Sequence, residues 1–142
     1  TGNKFYWDDK NRSTSLNRIL NIFELPYNFH SLEIDYSDND EMTLSKIKNL
    51  HCHKKELKGL DKTAALIENL DLIITTDTSI AHLCGALNKP CWVMLSKLPN
   101  FRWLLDREDS PWYPSLKLYR QKTQGDWNEV VKKIKKDLIL FF

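Results

Sequence analysis

The sequence predicts an α/β fold, with a mainly parallel sheet between two layers of helices. Short apolar runs rich in β-branched residues alternate with segments whose apolar residues recur at helical spacing. The clearest alternation is at residues 71–92, where the run 72–76 passes through polar residues into a helical pattern and then into a second apolar run. With 142 residues, 42% of them hydrophobic, the chain is expected to form one domain, residues 1–142.

Composition argues against several classes of protein. Lysine and arginine total 21 against 19 acidic residues, which gives no basic stripe and predicts no nucleic-acid partner. No apolar run approaches the roughly 20 residues that span a bilayer, so we expect no membrane span. Cys52, Cys84 and Cys91 are odd in number, lack CxxC spacing and lie mostly in apolar contexts, which predicts reduced, buried thiols in a cytoplasmic protein.

The individual elements follow from periodicity and from capping and breaking residues. Residues 1–13 and 96–114 read as loops, and the acidic stretch 35–40 reads as a turn-rich excursion. Strands are predicted over 28–34, 47–53, 72–76, 91–95 and 115–120. Helices are predicted over 16–25, from Leu60 with Asp61 as its cap, over 80–87, and over 127–138 with Gly125 and Asp126 as caps.

The turn after the run 72–76 is the candidate binding site. Asp77, Thr78 and Ser79 fall where the first amides of a helix lack intrahelical partners and the helix dipole is positive, an arrangement that suits a phosphate. His82 follows Thr78 by one helical turn and lies on the same small, polar face. The Asp77 carboxylate is expected to cap amides or hold a hydroxyl group. An ordinary strand, cap and helix would give the same pattern.

Other polar residues could contact the same ligand. Each of them could equally be a solvated or salt-bridged surface residue. In the two loops, Lys and Arg could neutralise phosphates, and an acid near the end of the second strand could accept hydrogen bonds from a ribose. These candidates are Asn3, Lys4, Arg12, Glu33, Lys97 and Arg102.

The sequence gives no pattern that predicts a metal site. His51 and His53 would share one face of a strand, with Cys52 on the other, but no second ligand pair follows at a useful spacing. The acidic stretch 35–40 lacks the glycine and terminal glutamate of a calcium loop. We therefore expect no metal and no other cofactor.

Several ordered motifs carry a family resemblance. DTSIAHLCGALNKPCWVML, followed by RWLLDREDSPWYPSLKLYRQ and GDW, resembles the carboxy-terminal, nucleotide-sugar-binding half of GT-B glycosyltransferases. The likeness is to the family-nine group of lipopolysaccharide heptosyltransferases, especially bacterial members joined to tetratricopeptide repeats. It runs from Gly2 to about Leu138.

The resemblance implies a Rossmann-like αβα domain that binds a nucleotide sugar for inverting, metal-independent transfer. Thr78 and Ser79 would hold the phosphates, and His82 would add a hydrogen bond or charge. The catalytic base would come from an amino-terminal acceptor domain outside these residues, so the chain would be inactive alone. In the family a strand precedes the first loop, so this domain could lack its first strand. At Glu33 the resemblance would lead us to expect Gln.

Two other functions are compatible with the same residues. One is a non-catalytic binding or scaffold module beside tetratricopeptide repeats. The other is a nucleotide-sugar epimerase of related fold. Nucleotide binding separates the first from the transferase, and product analysis separates the second.

Overall fold

Strands and helices alternate through residues 9–142, the part of the chain that this computed structural model describes. Asn3 and Lys4 lie outside the described residues. The strands are β1 (Phe29–Ser31), β2 (Leu50–Cys52), β3 (Ile73–Thr76), β4 (Cys91–Leu95) and β5 (Leu116–Arg120). The α-helices are α1 (Asp9–Arg12), α2 (Leu16–Ile19), α3 (Asp38–Leu44), α4 (Leu60–Glu68), α5 (Ser79–Ala86) and α6 (Trp127–Phe141), with 3-10 helices at Leu20–Glu24 and Phe101–Trp103.

Every paired strand in this part of the chain is parallel to its neighbour. One sheet has the order β3-β4-β5, and a second sheet consists of β1 and β2. Because parallel neighbours need crossover connections, the helices between the strands lie on the sheet faces. This is the mixed α/β architecture predicted from the sequence and is consistent with a Rossmann-like αβα fold. The strands form two small sheets, which periodicity alone did not predict.

Two hydrophobic clusters cover the faces of the three-stranded sheet. All five residues of β4 are buried, and its alternate side chains point to opposite clusters. Trp92 and Met94 pack with α6 and the 3-10 helix Leu20–Glu24, whereas Val93 packs with α4 and α5. Each large buried side chain contributes about 1.5–3 kcal/mol. This packing holds the carboxyl ends of β3, β4 and β5 at one edge.

Helix α6 forms as its sequence pattern predicts. Its N-cap, Asp126, accepts a hydrogen bond from the Asn128 amide at 3.0 Å, and the lysines lie largely outside the buried stripe. The buried stripe consists of Trp127, Val130, Val131, Ile134 and Leu138.

Three local predictions were wrong. The acidic stretch begins α3, because Ser37 accepts a hydrogen bond from the Asp40 amide and acidic residues fill the positive first turn. Helix α4 is capped by Gly59, with φ of 106°, and not by Asp61. The segment 16–25 divides into α2 and a 3-10 helix.

All three cysteines are free thiols, as predicted. Cys84 and Cys91 are buried, but the predicted burial is wrong for Cys52, which lies exposed on the short strand β2. The Cys91 thiol donates a hydrogen bond toward Cys84, which with burial raises the pKa of Cys91. Within residues 9–142 no helix combines the length and apolar composition needed to cross a membrane.

Candidate functional site

The junction between β3 and α5 leaves backbone amides available for a ligand. Thr78 is the N-cap residue, with extended backbone at φ −135° and ψ 175°, but its side chain does not cap the helix. Its hydroxyl instead lies 3.2 Å from that of Thr75. The Ala81 amide reaches the Thr78 carbonyl, whereas those of Ser79 and Ile80 have no hydrogen-bond acceptor among the described residues. The anion site predicted at this turn therefore has its donors in place.

Asp77 plays a different part from the one predicted. Its carboxylate makes no hydrogen bond to an amide or hydroxyl within residues 9–142, so the expected cap is absent. Its carbonyl oxygen instead accepts a hydrogen bond from Nη1 of Arg12 at 2.9 Å. The backbone at the end of β3 is thus held by a cation from the first helix.

Arg12 brings a positive charge to the start of α5. Its side chain is 16% exposed, and its Nε lies 3.5 Å from Oδ1 of Asp9, one helical turn earlier. Asp9 also accepts a hydrogen bond from the Ser13 hydroxyl at 2.9 Å. This local network orients the guanidinium across 65 residues of sequence separation toward Asp77.

Arg102 supplies a second guanidinium from the loop after β4. Asn100 caps the 3-10 helix Phe101–Trp103, and its Oδ1 accepts from the Arg102 amide and from Arg102 Nη1, both at 3.2 Å. Nε1 of Trp112 donates to the Arg102 carbonyl at 3.0 Å. The sequence predicted Arg102 but missed Asn100, because the loop shows no periodicity; a cap residue ahead of a short turn was the available signal.

His82 is held by two aromatic residues. Its Nδ1 lies 3.1 Å from the Tyr113 hydroxyl, and its ring stacks on Trp103 with centroids 5.3 Å apart and planes at 22°. Trp103 is fully buried and so belongs to the loop core. One side of the His82 ring is therefore packed against the loop core. Because only Nδ1 contacts Tyr113, Nε2 remains for a ligand.

Tyr113 also fits against α5 at a glycine. A Cβ built on Gly85 would lie 2.3 Å from two ring carbons of Tyr113, far inside van der Waals contact. Gly85 is therefore needed for close approach and is not simply a small residue on a ligand face. Sequence reasoning assigned Tyr113 no contact with His82, because 31 residues separate them.

These groups surround one pocket with a volume of about 480 Å³. That size lies within the range of small-molecule sites, roughly 300–1,000 Å³. Among the described lining residues, two guanidinium groups, the helix amides and an imidazole face the pocket together with a single carboxylate, and these groups favour an anion. The lining residues are Arg12, Asp77, Thr78, Ser79, His82, Asn100 and Arg102.

Two predicted contacts do not line this pocket. Lys97 is exposed on the loop after β4. Glu33 follows β1, and its Oε1 accepts hydrogen bonds from the amides of Ile34 at 3.2 Å and Asp35 at 3.4 Å. A strand-end carboxylate bonded to its own loop is a common local turn, which the strand pattern could not reveal.

Comparisons of the chain with protein-family models, curated proteins and solved structures found no match. The case for a function is therefore built on the pocket and on the sequence motifs.

Proposed function

We propose that this chain is the donor-binding part of a glycosyltransferase and that its pocket holds the diphosphate of a nucleotide sugar. One observation carries the proposal: the uncapped amino terminus of α5 shares a pocket with the guanidinium groups of Arg12 and Arg102. A helix amino terminus binds phosphate through its free amides, and guanidinium groups form paired hydrogen bonds with phosphate oxygens. The sequence resemblance points to the same ligand.

Such a pocket would suit the chemistry of sugar transfer. As the glycosidic bond to the donor breaks, negative charge grows on the departing nucleoside diphosphate. In the proposal the Ser79 amide, Arg12 and Arg102 stabilise that charge without a metal ion, and Nε2 of His82 donates a further hydrogen bond. Transfer with inversion and the sugar acceptor are proposed from the resemblance.

The acceptor must be deprotonated by a base, which we place in a separate amino-terminal domain. Asp77 lines the pocket, but a catalytic base must lie within hydrogen-bond reach of the acceptor hydroxyl. The resemblance puts the acceptor in the amino-terminal domain, so we do not assign Asp77 this role. In the proposal this chain alone binds the nucleoside diphosphate and transfers no sugar. Tetratricopeptide repeats are a further proposed neighbour, again from the resemblance.

Calorimetric titration with UDP, ADP, GDP and inorganic phosphate tests the proposal. We expect at least one diphosphate to bind, and Arg12→Gln and Arg102→Gln each to weaken binding on the order of 10- to 100-fold, the usual effect of losing a charge-assisted hydrogen bond. Arg18→Gln is the matched control, because it removes the same charge from exposed α2 outside the pocket.

The outcomes separate the alternatives. Equal weakening by Arg18→Gln would show that only net charge matters and would overturn the pocket assignment. No binding of any diphosphate, in a protein whose fold is intact, would favour a scaffold module. Conversion of a nucleotide sugar to an epimer without transfer, by the chain joined to its remaining domains, would favour the epimerase.

A further inference from the structure

Three of the four histidines of the chain lie together on the β1–β2 sheet, a separate sheet from the one that carries the pocket. His30 and His51 are direct partners in the register of the two parallel strands. His53 follows His51 by two positions and so returns to the same face. The sequence pattern paired His51 with His53 but gave no reason to add His30, which the strand pairing supplies.

The three imidazoles are close enough to share a ligand. Nδ1 of His30 lies 2.8 Å from Nε2 of His53, with the ring centroids 5.1 Å apart and the planes at 8°. The centroids of His30 and His51 are 4.9 Å apart, with planes at 28°. Nearly coplanar rings with this nitrogen separation form a direct hydrogen bond, in which one imidazole donates and the other accepts.

The surroundings keep these three rings available to a ligand. His51 is exposed, and His30 and His53 are half-buried. None of the three forms an ion pair or hydrogen bond with a carboxylate among the described residues. Metal ions bind imidazole nitrogens, so a cluster of imidazoles that is open to solvent and not engaged by carboxylates is suited to one.

We propose that His30, His51 and His53 bind a divalent late transition-metal ion, with Zn²⁺ as the natural probe. Two nitrogens bound at about 2.0–2.1 Å to one tetrahedral ion lie about 3.3 Å apart, and their ring centroids about 5.2 Å apart. The observed centroid separations of 4.9 Å and 5.1 Å are near that spacing, so the three rings are within reach of one ion but do not yet converge on it. Three imidazoles with a fourth position open to solvent form an established zinc ligand set.

Ion binding requires one local rearrangement. No group of three histidine, cysteine or acidic side chains in residues 9–142 is at present placed to hold a metal, because the His30 and His53 nitrogens point at each other. Opening that pair by roughly 0.5 Å and turning the exposed His51 ring toward it would direct the three nitrogens to one point. The strand pairing already fixes the Cα positions of His30 and His51, and His53 directly follows β2.

Zn²⁺ titration of the full 142-residue chain, followed by calorimetry and by histidine-ring NMR, tests the site. We expect binding of one ion per chain, with ring shifts at His30, His51 and His53. Because protonated imidazole cannot ligate, affinity should fall as the solution is acidified. His51→Gln should weaken binding at least tenfold and, being at an exposed position, should leave the fold intact; His30→Gln should do the same.

Two controls separate this site from other zinc ligands. His82→Gln removes the remaining histidine, and Cys52→Ser removes the exposed thiol from the opposite face of β2; neither should change the affinity. A tenfold loss in Cys52→Ser, an unchanged affinity in His51→Gln, or no binding at millimolar Zn²⁺ would each overturn the proposal. Nucleotide binding at the β3–α5 pocket is independent of all these outcomes.

Discussion

The ring of Tyr113 packs directly over Gly85 while its hydroxyl lies 3.1 Å from Nδ1 of His82, one helical turn earlier on α5. Tyr113 can therefore pack on α5 only because Gly85 has no Cβ, and in that position its hydroxyl orients the His82 ring. The packing at Gly85 and the geometry of the pocket are therefore coupled through Tyr113.

This coupling predicts the effect of Gly85→Ala. The new methyl group would lie 2.3 Å from the Tyr113 ring, so the ring must move and release His82. We expect a loss of about 1–3 kcal/mol in the free energy of unfolding, measured by urea denaturation, together with weaker diphosphate binding.

Repeating Gly85→Ala in a variant of Tyr113 tests whether Tyr113 is the residue that requires the glycine. In Tyr113→Ala, which lacks the Cγ and the ring carbons, the clash is relieved, so adding Gly85→Ala should stabilise the helix by about 0.5–1 kcal/mol, the usual preference for alanine over glycine. If Gly85→Ala has the same sign in both backgrounds, Tyr113 is not the residue that requires the glycine.

Ser79→Asp should separate stability from binding. A carboxylate in the first turn interacts favourably with the helix dipole, which predicts an unfolding free energy that is unchanged or higher by about 0.3–1 kcal/mol. The same charge occupies the proposed phosphate position and should abolish diphosphate binding in a titration. Ser79→Asn, which has a similar shape and no charge, should retain most of the binding; an equal loss there would indicate a steric effect.

Asp137 joins α6 to β5 and should contribute to stability. Its Oδ2 accepts hydrogen bonds from Lys117 Nζ at 2.7 Å and from the Tyr119 hydroxyl at 2.8 Å. The hydrogen bond from Lys117, and then that from Tyr119, lowers the pKa of Asp137 against opposing desolvation. Asp137→Asn should therefore cost about 1–2 kcal/mol at neutral pH in chemical denaturation.

The contribution of Asp137 should disappear in acid. A depressed folded-state pKa means that the unfolded chain binds the proton more tightly, so this stability is present above the unfolded pKa and is lost as pH falls through the folded value. The difference between Asp137→Asn and the unaltered chain should then shrink. Lys122→Gln, which breaks the pair of the 80% exposed Lys122 with Glu129 and leaves the acidic first turn of α6 unchanged, is the control and should have no measurable effect.

The lowered pKa of His30 predicts a second loss of unfolding free energy on acidification, at a higher pH than the loss due to Asp137. Burial and the neighbouring His53 and His51 lower its pKa, so the unfolded chain takes up the proton first as pH falls. Without added metal, the free energy of unfolding should decline from about pH 7 through the unfolded value near 6.5 and level off below the folded pKa. Denaturation curves of His30→Gln should show a smaller decline; an unchanged one would contradict this assignment.

The sequence predicted the elements whose signals are local. Three such signals are each contained in a short stretch of sequence, and the structure confirms them. They are the strand run 72–76, the caps before α6 and the apolar stripe of α6. The acidic stretch was misread because Ser37, Asp38 and Asp40 favour turns and helix starts alike. The turn between β3 and α5 was predicted because strand, cap and helix follow one another directly in the sequence there.

Contacts between distant residues were beyond sequence reasoning. Asn100, Tyr113 and His30 gain their partners only when loops and strands far apart in the chain are brought together. Conversely, Lys97 and Glu33 had suitable chemistry and position in the sequence, but local backbone geometry places them outside the pocket. The nucleotide-binding role itself stays a prediction.

The described residues that line the pocket belong to three stretches of chain, around Arg12, Ser79 and Arg102. An anion that bridges them would act as a noncovalent cross-link, since opening any one stretch would require the ion to leave. Amide hydrogen exchange should therefore slow together in all three stretches when the pocket is filled, even though α1 is only four residues long and would fray readily by itself.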